Sequence, residues 1–596
     1  MCGIYCSISD SQHTPPSKAE LNLLELRGPD CCNTIRRTVH GRSSTDRYYL
    51  TFCASVLSLR GSHVVRQPLE DPASESLLCW NGEAWRYDGE EVQGNDAQAI
   101  FHLLLEAAKG ASAGADLASY GRRESLGRVL SVVSMISGPF AFVFYDSRSK
   151  QILFGRDVLG RRALLTTTAI DGNVTISSVS PDSTYNDWKE VEADGIYIFD
   201  IDCRSDSDDV ANTFSHDSVR PAQKPKRFPW LTRDCDASLI RTLQSPFSAF
   251  NSECPTSQLP VLNLNSSAVT ELAGLLKHSS RIRIQDIPRP PVVTYSARLA
   301  ILFSGGLDCT LLARLCHDIL PKTHEVDLLN VAFENPRVLK AAAQNPTRVE
   351  ISSRVMTAYS ECPDRVTGLK AHEELLRVCP GRTWRFVSIN VPYNELLAHR
   401  PQIQSLIHPH NTEMDLSIAS ALYFAARGEG TAHSSSSGLG NPYASSARVL
   451  LSGLGADELF GGYARHATAF ARNGHESLAQ ELELDFQRLG KRNLGRDDRV
   501  ISHWGKEARY PYLDEILVEW ALRTPIWEKC GFGQTMSTTA SDESHPPLQP
   551  AKKVLRLLAW KLGMSQVALE PKRAIQFGAR SAKMETGKVK GTQTLF

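Results

Sequence analysis

The stretch Leu302–Asp308, reading L-F-S-G-G-L-D, constrains this chain more than any other. An apolar segment leads into it and C-T-L-L-A-R-L follows, so the pattern predicts strand, glycine turn, helix. In that geometry Ser304, Gly305 and Gly306 set a hydroxyl and backbone N–H groups around a phosphate at a helix N-terminus. Asp308 has the wrong charge to touch a phosphate directly, but it suits a Mg²⁺ ion bridging the phosphates of ATP. The motif is neither the lysine-bearing nucleotide loop nor the dinucleotide fingerprint. An ordinary glycine turn is the alternative it leaves open.

At 596 residues the chain exceeds one ordinary core, which predicts two or more domains. Lysine plus arginine equals aspartate plus glutamate at 66 each, so no global field favours nucleic acid or an anionic membrane. The R-I-R-I run at Arg281–Ile284 and the basic Lys583–Lys590 tail read as solvated edges. The apolar stretch Val132–Phe144 is broken by serines, Gly138 and Pro139, and reads as a buried turn and strand rather than a membrane span. The N-terminus lacks a basic leader followed by an apolar block. Fourteen cysteines occur without a C-x-x-C pair, and adjacent Cys31 and Cys32 read as ordinary thiols. Together these features predict a cytoplasmic protein in a reducing compartment.

Residues 1–205 are strand-rich, with short apolar runs at Tyr49–Leu59, Ser76–Trp80, Ala141–Tyr145, Gln151–Phe154 and Gly195–Phe199. Helices are expected at Ala97–Ala108 and Glu124–Ser134. A polar stretch near Asp202–Lys226 suggests a linker, and 206–250 is assigned as the joining segment. Residues 251–580 alternate strands and helices, implying a mostly parallel sheet, and 581–596 form a basic tail. Gly428–Ser446 is expected as a mobile loop, and Asn335–Ser353 and Thr535–Pro550 as peripheral segments.

Met1-Cys2 invites removal of the initiator methionine, which would place a nucleophilic sulfur beside an α-amine able to accept its proton. Met1–Ile4 begins a pattern that continues through Arg27-Gly28-Pro29-Asp30, Asn81-Gly82-Glu83, Gly94-Asn95-Asp96, Gly138-Pro139-Phe140-Ala141 and Gly155-Arg156-Asp157. In this order the motifs resemble the amino-terminal-nucleophile glutaminase domain of the asparagine synthetase family. The resemblance implies layered antiparallel sheets with helices. It implies that Cys2 attacks the glutamine amide to form a thioester, with the Asn81 side chain and Gly82 N–H as the oxyanion hole. Asp96 would bind the α-ammonium group. Asn81-Gly82 also suits an ordinary strand turn, and Arg27 also suits an ion pair that supports the fold. Where the family has R-L-S-I/V this chain has Val56-Leu57-Ser58-Leu59, without the guanidinium that holds the substrate carboxylate. Arg60 shares a strand face with position 56 but lies about 13 Å further along.

The second half carries Leu451-Ser452-Gly453-Leu454-Gly455-Ala456-Asp457-Glu458-Leu459-Phe460-Gly461-Gly462-Tyr463 and Arg509-Tyr510-Pro511-Tyr512-Leu513-Asp514. These resemble the same family's L-S-G-E-G-A-D-E-L-F-G-G-Y and R-V-P-F-L-D, implying an α/β ATP-pyrophosphatase-like synthetase domain. By that resemblance Ser304, Gly305, Gly306, Ser452 and Gly453 cradle ATP, and Asp308 and Asp457 serve Mg²⁺. Glu413-Met414-Asp415 is similar to a polar helix entrance near the aspartate pocket. Asp457 and Asp514 also suit a purely structural role. Two departures stand out. Leu454 replaces a carboxylate that serves the ammonia step and cannot accept a proton. In Lys572-Arg573-Ala574-Ile575-Gln576-Phe577, Ala574 replaces a lysine of R-x-K-x-x-F.

With Val56, Cys309 in S-G-G-L-D-C and K-R-A-I-Q-F-G, this mixture is similar to a narrower group, the asparagine synthetase domain-containing proteins. The activity implied is glutamine hydrolysis, with the ammonia passed along an enclosed route to convert ATP-activated aspartate into asparagine, AMP and pyrophosphate. Two alternatives stay open: an amidotransferase with another carboxylate acceptor, and an inactive synthetase-like binding or regulatory protein. Homo-oligomerisation is left open as well.

Overall fold

The apolar runs of the first half fold as two antiparallel sheets whose facing sides share one core. The computed structural model describes residues 2–41, 46–109, 118–181, 187–202, 224–232, 243–254, 260–288, 297–343, 358–433, 440–534, 546–584 and 591–595. The chain divides into two compact units, one of Met1–Pro246 with Leu489–Gly505, the other of Phe247–Arg488 with Lys506–Phe596.

In the first unit, one sheet runs Lys189–Glu190, Leu165–Thr168, Val174–Ser177, Gly3–Ser9, Arg47–Val56, Cys31–His40. The other runs Leu243–Gln244, Lys226–Leu231, Gly195–Asp200, Gln151–Arg156, Phe140–Asp146, Leu77–Gly82, Leu69–Glu70. Because side chains alternate along a strand, Ile4, Cys6, Leu50, Phe52 and Ala54 meet Leu77, Cys79, Ala141, Val143 and Ile152 between the sheets. The opposite face of the second sheet, with Leu78, Trp80, Phe140, Phe142 and Phe144, packs on helices Asp96–Ala108 and Ala118–Ser134. Helix Lys18–Arg27 opens with a capping box between Ser17 and Glu20 and lies against the outer face of the first sheet. There Ser55 Oγ donates to the Leu24 carbonyl and accepts the Gly3 N–H at 3.0 Å. A Cβ on Gly3 would come within 2.8 Å of Leu24, so the close approach requires glycine.

Leu489–Gly505 falls within the stretch that composition assigns to the second half, yet it belongs to the first unit through buried charge. Asp498, on helix Leu494–Ser502, accepts from Arg27 at 2.8 Å and from the Ala163 N–H at 3.1 Å. Glu190 accepts from both Arg156 at 3.0 Å and Arg499 at 3.1 Å. Strand Lys226–Leu231 likewise falls inside the expected joining segment, where it pairs with Gly195–Asp200. Residues 203–223 and 233–242 lie outside the described residues.

The second unit is built on a sheet ordered Asn441–Ala444, Glu429–His433, Trp384–Val391, Val326–Phe333, Leu299–Leu302, Val449–Leu451, Glu507–Arg509. The last five strands are parallel. All eight residues of Val326–Phe333 are buried, as expected of a parallel strand covered on both faces. From Leu299–Leu302 the order extends one way through Val326–Phe333 and the other way through Val449–Leu451. Two glycine loops, after Leu302 and after Leu451, therefore leave the sheet at its switch point, where such sheets form ligand crevices.

Two sequence expectations change here. Arg283 of the R-I-R-I run is buried on helix Ser267–Ile284 and ion-pairs Asp514 at 2.9 Å, a partner 231 residues away that local composition does not foreshadow. Within Gly428–Ser446, Glu429–His433 and Asn441–Ala444 form an antiparallel hairpin, because the edge of Trp384–Val391 supplies backbone partners that a serine- and glycine-rich stretch does not advertise. Residues 434–439 lie outside the described residues. Pro336–Ala343, inside the expected peripheral segment 335–353, is helical.

Removing one partner of a buried pair leaves an uncompensated charge. Asp498→Ala is therefore expected to destabilise the first unit by about 3–5 kcal/mol, read as lost hydrogen-exchange protection in strand Gly3–Ser9. Unchanged protection there would mean that Arg27 is satisfied without Asp498.

Candidate functional site

In the first unit, strand Leu77–Gly82 brings Asn81 to the start of strand Gly3–Ser9. Cys2, 8% exposed, donates its backbone N–H to Asn81 Oδ1 at 3.0 Å. That bond fixes the amide orientation and leaves Asn81 Nδ2 buried with no hydrogen-bond partner among the described residues. Arg27 Nε donates to the Cys2 carbonyl at 3.3 Å while its guanidinium is held by Asp498 and Ser502. Gln67 Oε1 accepts from the Trp80 N–H at 2.7 Å, which turns Nε2 toward Cys2 Sγ, 3.9 Å away. A Cβ on Gly82 would lie 2.6 Å from the Pro139 carbonyl, so the N-G-E and G-P-F loops approach too closely for any other residue. Asp157 organises the loop beneath them, accepting from the N–H groups of Phe140, Leu159 and Arg161.

Asp96 is buried at the start of helix Asp96–Ala108, and its Oδ2 accepts from Trp80 Nε1 at 3.0 Å and the Ala84 N–H at 2.9 Å. Burial raises its carboxyl above the ordinary value, against the pull of Arg60 and those two donors. The strand that carries Val56 ends at that residue, so Arg60 is not on its face. Instead its guanidinium donates to the carbonyls of Ala84, at 2.7 Å, and Val92, and it stacks on Trp85. Arg60 is thus brought beside Asp96, a placement that strand spacing does not convey.

In the second unit, Gly305 adopts φ +78° and packs on Thr367 and Gly368 of helix Pro363–Val378. Gly306 caps helix Leu307–Ile319 without a side-chain cap, leaving the first helical N–H groups beside Ser304. The second loop carries Ser452 and Gly453 against the first, since a Cβ on Gly453 would lie 2.8 Å from Asp308 Cβ. Tyr512 donates to the Asp308 carbonyl at 3.1 Å. Asp514 caps helix Glu515–Arg523 in addition to holding Arg283, which is the structural role its motif permits.

Asp308 and Asp457 converge on one ammonium. Lys552, 3% exposed, lies 2.6 Å from Asp308 Oδ2 and 2.6 Å from Asp457 Oδ1, while Lys572 pairs with Asp457 Oδ2. Burial raises the Asp457 carboxyl, but the two lysines outweigh it and hold the group well below the usual carboxylate range. Among the described residues, buried Asp308 Oδ1 has no hydrogen-bond partner. Glycine at 462 is required, since a side chain there would strike Asp457 and Lys552. Ala574 carries no charge, and Lys572, two residues earlier, is the residue of that segment that pairs with Asp457. Sequence reasoning singles out neither Lys552 nor Gln67, for each acts through contacts formed only on folding.

Further along the same sheet, a cavity of about 230 Å³ is lined by Arg400, Glu413, Met414, Leu416, Ser417 and Phe577 among others. Arg400 pairs Glu413 at 3.2 Å, and Thr412 caps the helix through the Asp415 N–H. Among the described residues no three His, Cys, Asp or Glu side chains group to hold a metal, and no helix is long and apolar enough to cross a membrane.

Residues 468–575 match the asparagine synthase family model. An α/β protein with an asparagine-synthase region is the class that fold and match define. Asparagine synthetase domain-containing protein 1 of Bos taurus is 32% identical, over 99% of this chain and 97% of that protein. Its counterpart in Mus musculus is 33% identical, over 99% and 98%. Glutamine-hydrolyzing asparagine synthetase B of Escherichia coli is 36% identical over 15% of each chain. Among solved structures, the glutamine phosphoribosylpyrophosphate amidotransferase from B. subtilis is similar at 13% identity, over 59% of this chain and 70% of that one, with a TM-score of 0.24. The chain belongs to the family of asparagine synthetase domain-containing proteins.

Replacing Lys552 by methionine leaves two carboxylates facing each other. The expected cost is about 3–5 kcal/mol at pH 7, read by denaturant unfolding of the second unit. A depressed carboxyl contributes stability above the ordinary value near pH 4 and loses it as pH falls through the lower folded value. The deficit should therefore shrink below about pH 4. A deficit independent of pH would assign Lys552 a packing role.

Proposed function

We propose that the protein is a glutamine- and ATP-using amidotransferase that makes asparagine from aspartate, with an amino-terminal-nucleophile glutaminase unit and an ATP-pyrophosphatase-like synthetase unit. The observation that carries it is the Asn81 amide, whose oxygen accepts from the Cys2 N–H while its NH₂ stays buried with no hydrogen-bond partner among the described residues. A buried donor without a partner is costly unless a ligand or a developing charge takes it up.

Once Met1 is removed, the Cys2 α-amine accepts the thiol proton and Sγ attacks the glutamine carboxamide carbon. Asn81 Nδ2 and the Gly82 N–H receive the charge that forms on the oxygen. Gln67 holds the thiol in place from its other side. Asp96 meets the substrate α-ammonium and Arg60 its carboxylate, replacing the guanidinium missing at Val56. Ammonia departs and water releases glutamate from the thioester.

In the second unit, Ser304, Gly305, Gly306, Ser452 and Gly453 cradle the phosphates of ATP, and the aspartate carboxylate attacks the α-phosphorus to displace pyrophosphate. A Mg²⁺ ion fits Asp308 and Asp457, because such ions take one or two carboxylates and complete their shell with water and phosphate oxygens. The unpartnered Asp308 Oδ1 is an oxygen of that kind, and the bound ion would offset charge on the departing pyrophosphate. Lys552 and Lys572 are cations at the same place and support catalysis despite Ala574. One observation favours the second reading, a binding or regulatory protein: Leu454 leaves its loop without a proton acceptor.

Purified mature protein with ATP, Mg²⁺, aspartate and amide-¹⁵N glutamine should give labelled asparagine and AMP by mass spectrometry. Cys2→Ala should abolish the glutamine reaction and retain that with ammonium chloride. Asn81→Ala should lower glutaminase kcat about 10²–10³-fold with little change in KM. Intact ligand binding without asparagine or AMP would sink the proposal and leave the regulatory reading.

A further inference from the structure

Leu454 leaves open which group takes the proton when ammonia becomes an amide, and the first turn of helix Pro363–Val378 holds a carboxylate suited to it. Asp364, Thr367 and Gly368 are spaced i, i+3, i+4 and share one helix face. That face is the one on which Gly305 packs, at Thr367 and Gly368. Asn330 ties the two elements together, since its Nδ2 donates to the Phe303 carbonyl and to the Asp364 carbonyl, both at 2.9 Å. Phe303 immediately precedes Ser304, so Asp364 stands one helical turn from the glycine loop.

The Asp364 side chain is buried, with the residue 6% exposed, and the backbone at Gly578 approaches its carboxylate so closely that no Cβ fits there. Among the described residues it accepts no hydrogen bond from the protein. Its charged neighbours lie on the 570–573 segment, where Arg573 and Lys572 attract it and Glu570 repels it. Arg573 also reaches Thr367 on the shared face at 3.3 Å, and Lys572 is the lysine that pairs with Asp457. Burial dominates, pushing the carboxyl up to about 7. Of the other carboxylates near the loops, Asp308 and Asp457 each pair with Lys552 and Glu458 accepts from the Tyr463 hydroxyl at 2.6 Å.

We propose that Asp364 is the proton acceptor of the amide-forming step, in place of the carboxylate missing at position 454. This rests on the synthetase reading above. Ammonia attacks the acyl carbon of the acyl-adenylate, forming the C–N bond as the carbonyl electron pair moves to oxygen. Asp364 takes one proton from the resulting ammonium, and the C–O bond to AMP then breaks with its electron pair. Amide, AMP and a protonated Asp364 remain, and the last releases its proton to water.

The test compares wild type with Asp364→Asn, using ATP, Mg²⁺, aspartate and ammonium chloride. Pyrophosphate–ATP exchange reads adenylate formation, which needs no base, and asparagine reads the amide step. Exchange should persist in the variant within about twofold, while amide formation falls about 10²–10³-fold. The ratio of wild-type to variant amide rates should rise as pH passes about 7, and Asp364→Glu should recover part of the loss. In ¹³C NMR of aspartate-labelled protein, one carboxyl resonance should titrate near 7 and vanish in Asp364→Asn. Equal loss of exchange and amide formation, unchanged amide formation, a flat ratio, or no such resonance would each overturn the proposal. Wild type lacking both exchange and asparagine would instead sink the synthetase reading, and this assignment with it.

Discussion

A single buried ammonium, that of Lys552, fixes how the second unit's loops meet. Two carboxylates from separate segments, Asp308 at the entrance of one helix and Asp457 at the entrance of another, sit 2.6 Å from it on either side. Neither acid would tolerate the other at that range without a cation between them, and the lysine would not tolerate burial without the acids. The glycines follow from this demand. Gly453 allows one loop to reach Asp308, and Gly462 leaves room where Asp457 and Lys552 touch. Even the backbone entering the next helix conforms, with Lys552 itself at φ +56°, a conformation a lysine adopts only when its surroundings hold it there.

The first unit is held by the same kind of constraint. Arg27 is wholly buried, and each of its three nitrogens donates a hydrogen bond, to the Cys2 carbonyl, Ser502 and Asp498. Cys2 therefore stands on a backbone held from one side by a guanidinium and from the other by Asn81. The position of Cys2 is set by hydrogen bonds with buried polar groups, with the apolar sheet interface beneath supplying bulk stability.

Much of the candidate site was legible because its motifs are local. S-G-G-L-D after an apolar segment signals a turn from strand to helix, and the apolar run Leu77–Trp80 marks a strand that delivers Asn81. The residues that escaped are those whose meaning lies in a distant partner. Lys552 stands 244 residues from Asp308 and Arg283 stands 231 from Asp514, and nothing in the local sequence distinguishes them from solvated lysines and arginines. Gln67 carries no local signal, and only folding sets its amide between Trp80 and Cys2. The hairpin at Glu429–Ala444 was hidden for a related reason, since its order comes from the sheet edge it joins.

The membership of Leu489–Gly505 in the first unit has a consequence for synthesis. A ribosome delivers the strands of that unit early, yet Arg27 and Arg162 wait for a carboxylate, Asp498, that emerges hundreds of residues later. Domains ordinarily complete in the order they are made. Here the amino-terminal unit cannot close its buried charges until most of the other unit's chain has left the exit tunnel. A fragment ending at Pro246 would carry those arginines into its interior without Asp498 to meet them. The surroundings of Cys2, at one end of the chain, are therefore finished only by a segment near the other.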